Sequence, residues 1–367
     1  MQLLDHLTHE TPDERQRNLD ELAHSTSPTF IYGAGVFAYV LQRYLEQCGI
    51  RVQAAIVDRE YLGLTDYLEL PKLVTEDNIE KLAVANIVVG VTNYPPVVEH
   101  LKRLGARDIH VIDIPDYLNM PRPFMDHSFV KEHAHDFSEV LSLFADDLSR
   151  QTYVASINCK VSENLSYVKD LVRLDELYFP KNEFPLTESE TLLDVGGYTG
   201  DTVHEFHRLM SGKYAGIISM EPSPENFNTL ASTALAYGTE RVLAVPIGAW
   251  DSKSTLRFTP KKQHIDNQIT ESGPESISVD TIDNILAALQ RSVSIIKLDI
   301  NGAEYRALLG ARQTIQKDRP RIITRLHTKE DYYRIPLLLK SFSPSMKLYL
   351  RQRNYMSMMV VLYGLPS

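Results

Sequence analysis

The residues best suited to chemistry fall in three short stretches of the chain. In "LLDVGGYTGDT", Asp194 ends an apolar run and is followed by Gly196, Gly197 and Gly200. In "MEPSPENFNTL", Glu221 comes 21 positions after Gly200, with Ser223 close behind it. In "SIIKLDINGAEYRALLGA", Lys297, Asp299 and Glu304 surround a turn at Gly302, and His327 closes the later "RIITRLH". Small residues at a helix start let a ligand approach the backbone. A carboxylate at Asp194 can orient a ligand ammonium through charge-assisted hydrogen bonds. One at Glu221 can accept both hydroxyls of a ribose, or simply cap, with Ser223, the helix beginning at Pro224. Ligands of doubly wound sheets sit outside the carboxyl ends of the strands, which places Lys297, Asp299 and Glu304 near the reacting end. The plainer role for Glu304 is to favour a helix N-terminus.

A second glycine turn stands far upstream. "FIYGAGVFA" has Gly33, Gly35 and Ala38 at the spacing of a dinucleotide turn, and Asp58 closes the next apolar run, "VQAAIVD", where a ribose would lie. Two readings stay open for it: a site for NAD or a nucleotide sugar, or a structural or acceptor-presenting module.

Strands and helices alternate around both turns, so the fold expected is α/β with two Rossmann-like parallel sheets. Residues 1–27 read as a helical lead-in, 28–118 as a small Rossmann-like domain and 119–188 as a helical bridge opened by "MPRP". The second domain, 189–367, has strands expected at "TLLDVGG", "AGIISMEPS", "RVLAVPIGAW", "VSIIKLDI" and "RIITRLHT", then an antiparallel hairpin from "MKLYLRQRN" and "YMSMMVVLYG". "DHSFVKEHAHD" gathers His127, His133, His135 and Asp136, but a solvated helix or loop explains it better than a metal centre, and no metal is expected. Trp250 suits either adenine stacking or the core, and Tyr178 and Tyr198 are candidates to border the ligand.

Composition narrows the function classes. The 367 residues are 43% hydrophobic and 23% charged, the profile of a protein with sizeable cores. With 38 basic against 48 acidic residues the net charge is −10, which argues against a nucleic-acid partner. Two cysteines without CxxC spacing indicate neither a disulfide framework nor a thiolate zinc site. No apolar run approaches the ~20 residues needed to span a bilayer, and the polar N-terminus lacks the order of a signal peptide. A cytoplasmic protein is expected, with its oligomeric state open.

Taken in order, "LLDVGGYTGDT", "EPSPENF", "PIGAWD", "SVDTID", "IIKLDINGAEYRALLGAR" and "PRIITRLHT" resemble the FkbM-type methyltransferases dependent on S-adenosylmethionine. "YYRIPLLLKSF", "KLYLRQR" and "VVLYG" extend the likeness, which spans about residues 176–364. It implies a class I methyltransferase fold, S-adenosylmethionine as cofactor, and O-methylation of a sugar, polysaccharide precursor or secondary metabolite. By motif position it assigns cofactor contacts to Asp194, Gly196, Gly200 and Glu221, and acceptor-side roles to Lys297, Asp299, Glu304 and His327. Asn301 and Arg325 stand where family members often carry carboxylates, which removes two negative charges from the acceptor side. His327 and Asp299 are the candidate bases, with Arg325, on the same strand face, expected to keep the His327 ring neutral. The rival readings are a nucleotide-sugar or NAD-binding oxidoreductase-like protein centred on Gly33, Gly35 and Asp58, and a non-catalytic binding protein with a degenerate methyltransferase domain.

Overall fold

Among the described residues, short apolar runs separated by helices build the two larger of three sheets. The computed structural model describes residues 2–10, 14–63, 67–114, 125–174, 177–181, 184–259, 268–269, 273 and 275–367. The expected domain limit at residue 118 and the "MPRP" break lie outside them.

The small sheet holds β1 (Thr29–Tyr32), β2 (Ala54–Val57), β3 (Lys72–Val74), β4 (Asn86–Val89) and β5 (Asp108–His110). Its order is β3-β2-β1-β4-β5, all parallel. β1, β2 and β4 are buried along their whole length, so they read as continuous apolar runs rather than alternating ones. β3, short and only partly buried, is a strand the sequence reading did not anticipate.

The large sheet holds β6 (Thr191–Val195), β7 (Gly216–Met220), β8 (Val242–Val245), β13 (Ile295–Leu298), β14 (Arg321–Arg325), β15 (Lys347–Gln352) and β16 (Val360–Leu365). Its order is β15-β16-β14-β13-β6-β7-β8, and β16 runs antiparallel to both neighbours, so the terminal hairpin forms as expected. Between β8 and β13 lies a smaller sheet of β9 (Gly248–Ala249), β10 (Ser254–Thr259), β11 (Gln268–Ile269) and β12 (Glu275–Asp280), in the order β11-β10-β12-β9. This corrects the expectation of one strand over "RVLAVPIGAW". Pro246 has no N–H for a ladder, and the chain leaves the large sheet there and joins the four-stranded sheet, beside β12, at Gly248.

The bridge helices, Ala134–Leu143 and Asp147–Ser162 chief among them, share a core with the large sheet through Phe137, Leu141, Tyr153 and Ile157. The start of the chain docks there too: Leu3 N–H donates to Ser138 Oγ (3.0 Å) and Thr8 N–H to Asn158 Oδ1 (3.0 Å). The turn of the terminal hairpin reaches the other way. Met356 is buried in the apolar cluster of the small domain, and Tyr355 meets Tyr94 edge-on with centroids 5.7 Å apart. No described helix is long and apolar enough to cross a membrane.

Candidate active site

A cavity of about 360 Å3 opens at the carboxyl ends of β6, β7 and β13. The turn after β6 forms its floor, and two glycines there answer to close packing. A Cβ on Gly196 (φ +88°) would lie 2.4 Å from the Asp299 carbonyl oxygen, and one on Gly197 would lie 2.1 Å from Ser219 Oγ. Only residues without side chains let β6 and its turn settle against their neighbours. Gly196 belongs to the cavity wall, whereas Gly197 and Gly200 lie behind it.

Asp194 stands near the end of β6, just before the glycine turn, as the sequence suggested. It is completely buried, accepting from Lys297 Nζ (2.9 Å) and from Ser219 Oγ (2.8 Å). Both oxygens are engaged within the protein, so a ligand ammonium would not meet it directly. Lys297, unlike Asp194, does line the cavity, and it donates also to the Gly196 carbonyl (3.1 Å). Burial alone would discharge Lys297, but adjacent Asp194, and then Asp299, raise its pKa above the usual value. The pair braces the turn from beneath. One carboxylate of the wall that the sequence reading passed over is Asp201, at the start of the helix Asp201–Leu209.

Glu221, at the end of β7, lines the cavity with Ser223 and Asn226. Its carboxylate accepts from the Tyr198 N–H (3.0 Å) and the Ser223 N–H (2.9 Å). These two N–H groups fix the carboxylate on the cavity wall, while the Ser223 side chain makes no capping bond to the helix that begins at Pro224. Burial pushes its pKa up to about 7, against the lowering effect of those N–H groups. Ala249, Ile277 and Val279 supply an apolar wall from the smaller sheet. Trp250 packs beside Ile277 and Val279, under the Arg306 guanidinium at 5.8 Å from the ring centroid, rather than on the cavity wall.

At the other end Asp299 faces the cavity, surrounded by donors. The Tyr178 hydroxyl donates to it, and Arg325 Nη1 lies 3.2 Å from each of its oxygens. Burial alone would raise the Asp299 pKa, but Arg325 and His327 hold it well below the usual carboxylate range. Arg325 also donates to the Met358 carbonyl (3.3 Å) and so ties the hairpin turn to the site.

His327 and Glu304 stand behind Asp299, off the cavity wall. His327 Nε2 is 3.2 Å from Asp299 Oδ1 and Nδ1 is 2.8 Å from Glu304 Oε1. Neither contact lines up with a ring N–H, so both act as charge contacts rather than full hydrogen bonds. Glu304 is fixed by the N–H groups of Ile300 (2.7 Å) and Gly302 (2.8 Å). This overturns the expectation of a neutral, basic His327. Burial opposes the charged ring, and Arg325 does too, but Glu304 and Asp299 outweigh them and raise its pKa above 6.5. Asp299, Glu304 and His327 have donor atoms within 4.8 Å of one another, close enough to share a cation, but the Arg325 guanidinium already supplies positive charge at Asp299.

The remaining candidates are dispersed. Gly33 (φ +105°) packs against Gly90 and Val91, and Asp58 accepts from the Tyr32 hydroxyl at 2.5 Å. Ala34, between Gly33 and Gly35, gives its carbonyl to the Tyr67 N–H (3.1 Å), so the first turn is crossed by later chain. His127 contacts the Thr8 carbonyl (2.7 Å), and His133 stacks on Tyr333 at 4.9 Å, beside Asp136. The site also has a contributor from outside the large domain: Thr92, just past β4, lines the cavity with Asn354, Met358 and Met359. Nothing local in the sequence marks these four, because they come together only when the hairpin turn and the small domain meet.

Residues 194–356 match the family model described as the methyltransferase FkbM domain. A methyltransferase FkbM from Methylobacillus flagellatus KT has the same fold, with a TM-score of 0.67 at 20% identity over 97% of this chain and 94% of that one. More distant likenesses include a precorrin-6y C5,15-methyltransferase from Geobacter metallireducens GS-15 (TM-score 0.33, 10% identity, 54% of this chain and 96% of that one). A fibrillarin from Aeropyrum pernix, solved with natively bound S-adenosyl-L-methionine, gives a TM-score of 0.33 at 11% identity over 50% of this chain and 69% of that one. No curated protein matches the chain. The turn that holds Gly196, the strand end that holds Glu221 and the hairpin that closes the sheet thus lie in, or directly extend, the segment that matches the methyltransferase FkbM domain, residues 194–356.

Proposed function

We propose that the protein is a methyltransferase that uses S-adenosylmethionine to methylate a hydroxyl group, on a sugar, polysaccharide precursor or secondary metabolite. The observation that carries this reading is the cavity at the carboxyl edge of β6, β7 and β13, with Glu221 at one end and Asp299 at the other. Its volume suits one ligand of nucleoside-plus-amino-acid size. Glu221 would take the ribose hydroxyls, and the Ile277–Val279 wall the adenine. Asp201, Glu221 and Asp299 outnumber Lys297 and Arg325 in the lining by one charge, which leaves room for a ligand carrying a positive centre.

When bound, S-adenosylmethionine supplies an electrophilic methyl group on a sulfonium whose positive charge is lost on transfer. The protein's part is to hold an acceptor oxygen in line and exclude water. Asp299, fixed by Tyr178 and Arg325, is placed to accept a hydrogen bond from the acceptor hydroxyl. Its low pKa makes it a weak base at rest. The hydroxyl becomes strongly acidic as its oxygen forms the new bond, so even this carboxylate can receive the proton late in the reaction. Arg325 and His327 keep Asp299 ionised, and Arg325 and Tyr178 hold it at the cavity. Asp299→Asn should retain cofactor affinity but lower methyl transfer per folded molecule by ~10²-fold or more, the scale of a positioned proton acceptor. The check is incorporation of a tritiated methyl group into acceptor, alongside a thermal melt. Normal turnover in the variant would overturn the assignment.

A further inference from the structure

The cofactor cavity does not end the site. A second, more open hollow of about 600 Å3 adjoins it, and the two share Thr92, Asn354 and Met359 in their walls. Three parts of the chain meet there. Thr92 follows β4 of the small domain, Leu174 and Leu177 lie on the approach to the large domain, and Glu205 and Arg208 come from the helix Asp201–Leu209. Arg353 and Asn354 close it from the hairpin turn, where Arg353 donates to the Tyr363 hydroxyl (2.8 Å).

Volume decides what each hollow can hold. The first has room for one ligand of cofactor size, so most of an acceptor must lie outside it with only the reacting hydroxyl near Asp299. The second hollow begins where Asn354 and Met359 leave the first. Its wall combines hydrogen-bonding groups (Thr92, Glu205, Arg208, Arg353, Asn354) with aliphatic ones (Leu174, Leu177, Met359). Sugar rings present the same combination, with hydroxyl edges and C–H faces. Among the described residues of the wall, two arginines against one glutamate give too little positive charge to track a phosphodiester chain.

We propose that the hollow between the domains is the acceptor site, that its ligand is a glycan of more than one sugar unit, and that the Thr92 loop makes the small domain one wall of it. This rests on the methyltransferase reading above. The unit to be methylated enters past Asn354 toward Asp299, and its neighbours lie along Leu174, Leu177 and Arg208. The small domain thereby has a function that needs no ligand at its own glycine turn.

Saturation-transfer NMR with S-adenosylhomocysteine present, using hexoses and 6-deoxyhexoses as single sugars and short oligosaccharides of the same units, tests this. The variants are Arg208→Glu and Leu174→Arg, both at exposed side chains, each checked by thermal melt. The wild type should bind at least one oligosaccharide roughly tenfold more tightly than its single sugars, and each variant should lose roughly that factor, about 1.4 kcal/mol. Calorimetric affinity for S-adenosylmethionine should stay unchanged in both. Absence of oligosaccharide binding, or variants that bind the oligosaccharide like the wild type, overturns the acceptor-site proposal. Failure of the wild type to bind S-adenosylmethionine instead strikes the methyltransferase reading itself.

Discussion

Single residues change role once their neighbours are known, and His327 changes most. On its own strand its evident neighbour is Arg325, which suggests a neutral ring. The two carboxylates that flank it come from β13's end and the helix Glu304–Leu309, and they raise its pKa rather than lower it. Its folded pKa is raised above ~6.5, so its stabilisation is complete below that value and is lost as pH rises through the folded one. His327→Gln leaves Glu304 buried without its partner, which costs about 3–5 kcal/mol. The melting-temperature gap between wild type and His327→Gln should therefore be widest near pH 6 and shrink as pH climbs, as ~6.5 is the unfolded reference. A gap that stays constant with pH would return His327 to the neutral state. Arg325 illustrates the same lesson: a departure from the family pattern in sequence is, in three dimensions, the countercharge of Asp299.

At the scale of elements, the strand–glycine turn–helix units and the terminal hairpin were legible because each depends on a local pattern: an apolar run, a residue without Cβ, a polar turn. Gly196 shows how strict the pattern is. Alanine there must adopt φ +88° and bring its Cβ to 2.4 Å from a backbone oxygen. The melting temperature of Gly196→Ala should fall by at least roughly 3 °C, given the 1–3 kcal/mol typical of overpacking. An unchanged melt would mean that the turn can shift. The smaller sheet was not legible as a sheet, because its pairings join β9 to β12 across a long excursion and nothing local specifies that register. Its contribution to the cavity did leave a trace, since Ile277 and Val279 alternate with serines in "SISVD", the period of a strand with one buried face. Thr92, Met358 and Met359 left none.

At the scale of the whole molecule, the two glycine turns have unequal surroundings. The first is packed against β4, crossed by Tyr67, and has one oxygen of its carboxylate, Asp58, taken by Tyr32, while the buried Oδ1 has no hydrogen-bond partner. The second opens on a cavity with Glu221 in its wall. One cofactor site per chain is therefore the central claim, and a calorimetric titration tests it most directly. The wild type should take up one equivalent of S-adenosylmethionine and none of NAD. Because Glu221 must be ionised to accept ribose hydroxyls and its pKa is about 7, binding should tighten as pH rises through that value. Glu221→Gln should bind roughly tenfold more weakly, for the loss of a charged hydrogen-bond acceptor. No uptake of S-adenosylmethionine, or an affinity indifferent to Glu221→Gln, would contradict the account.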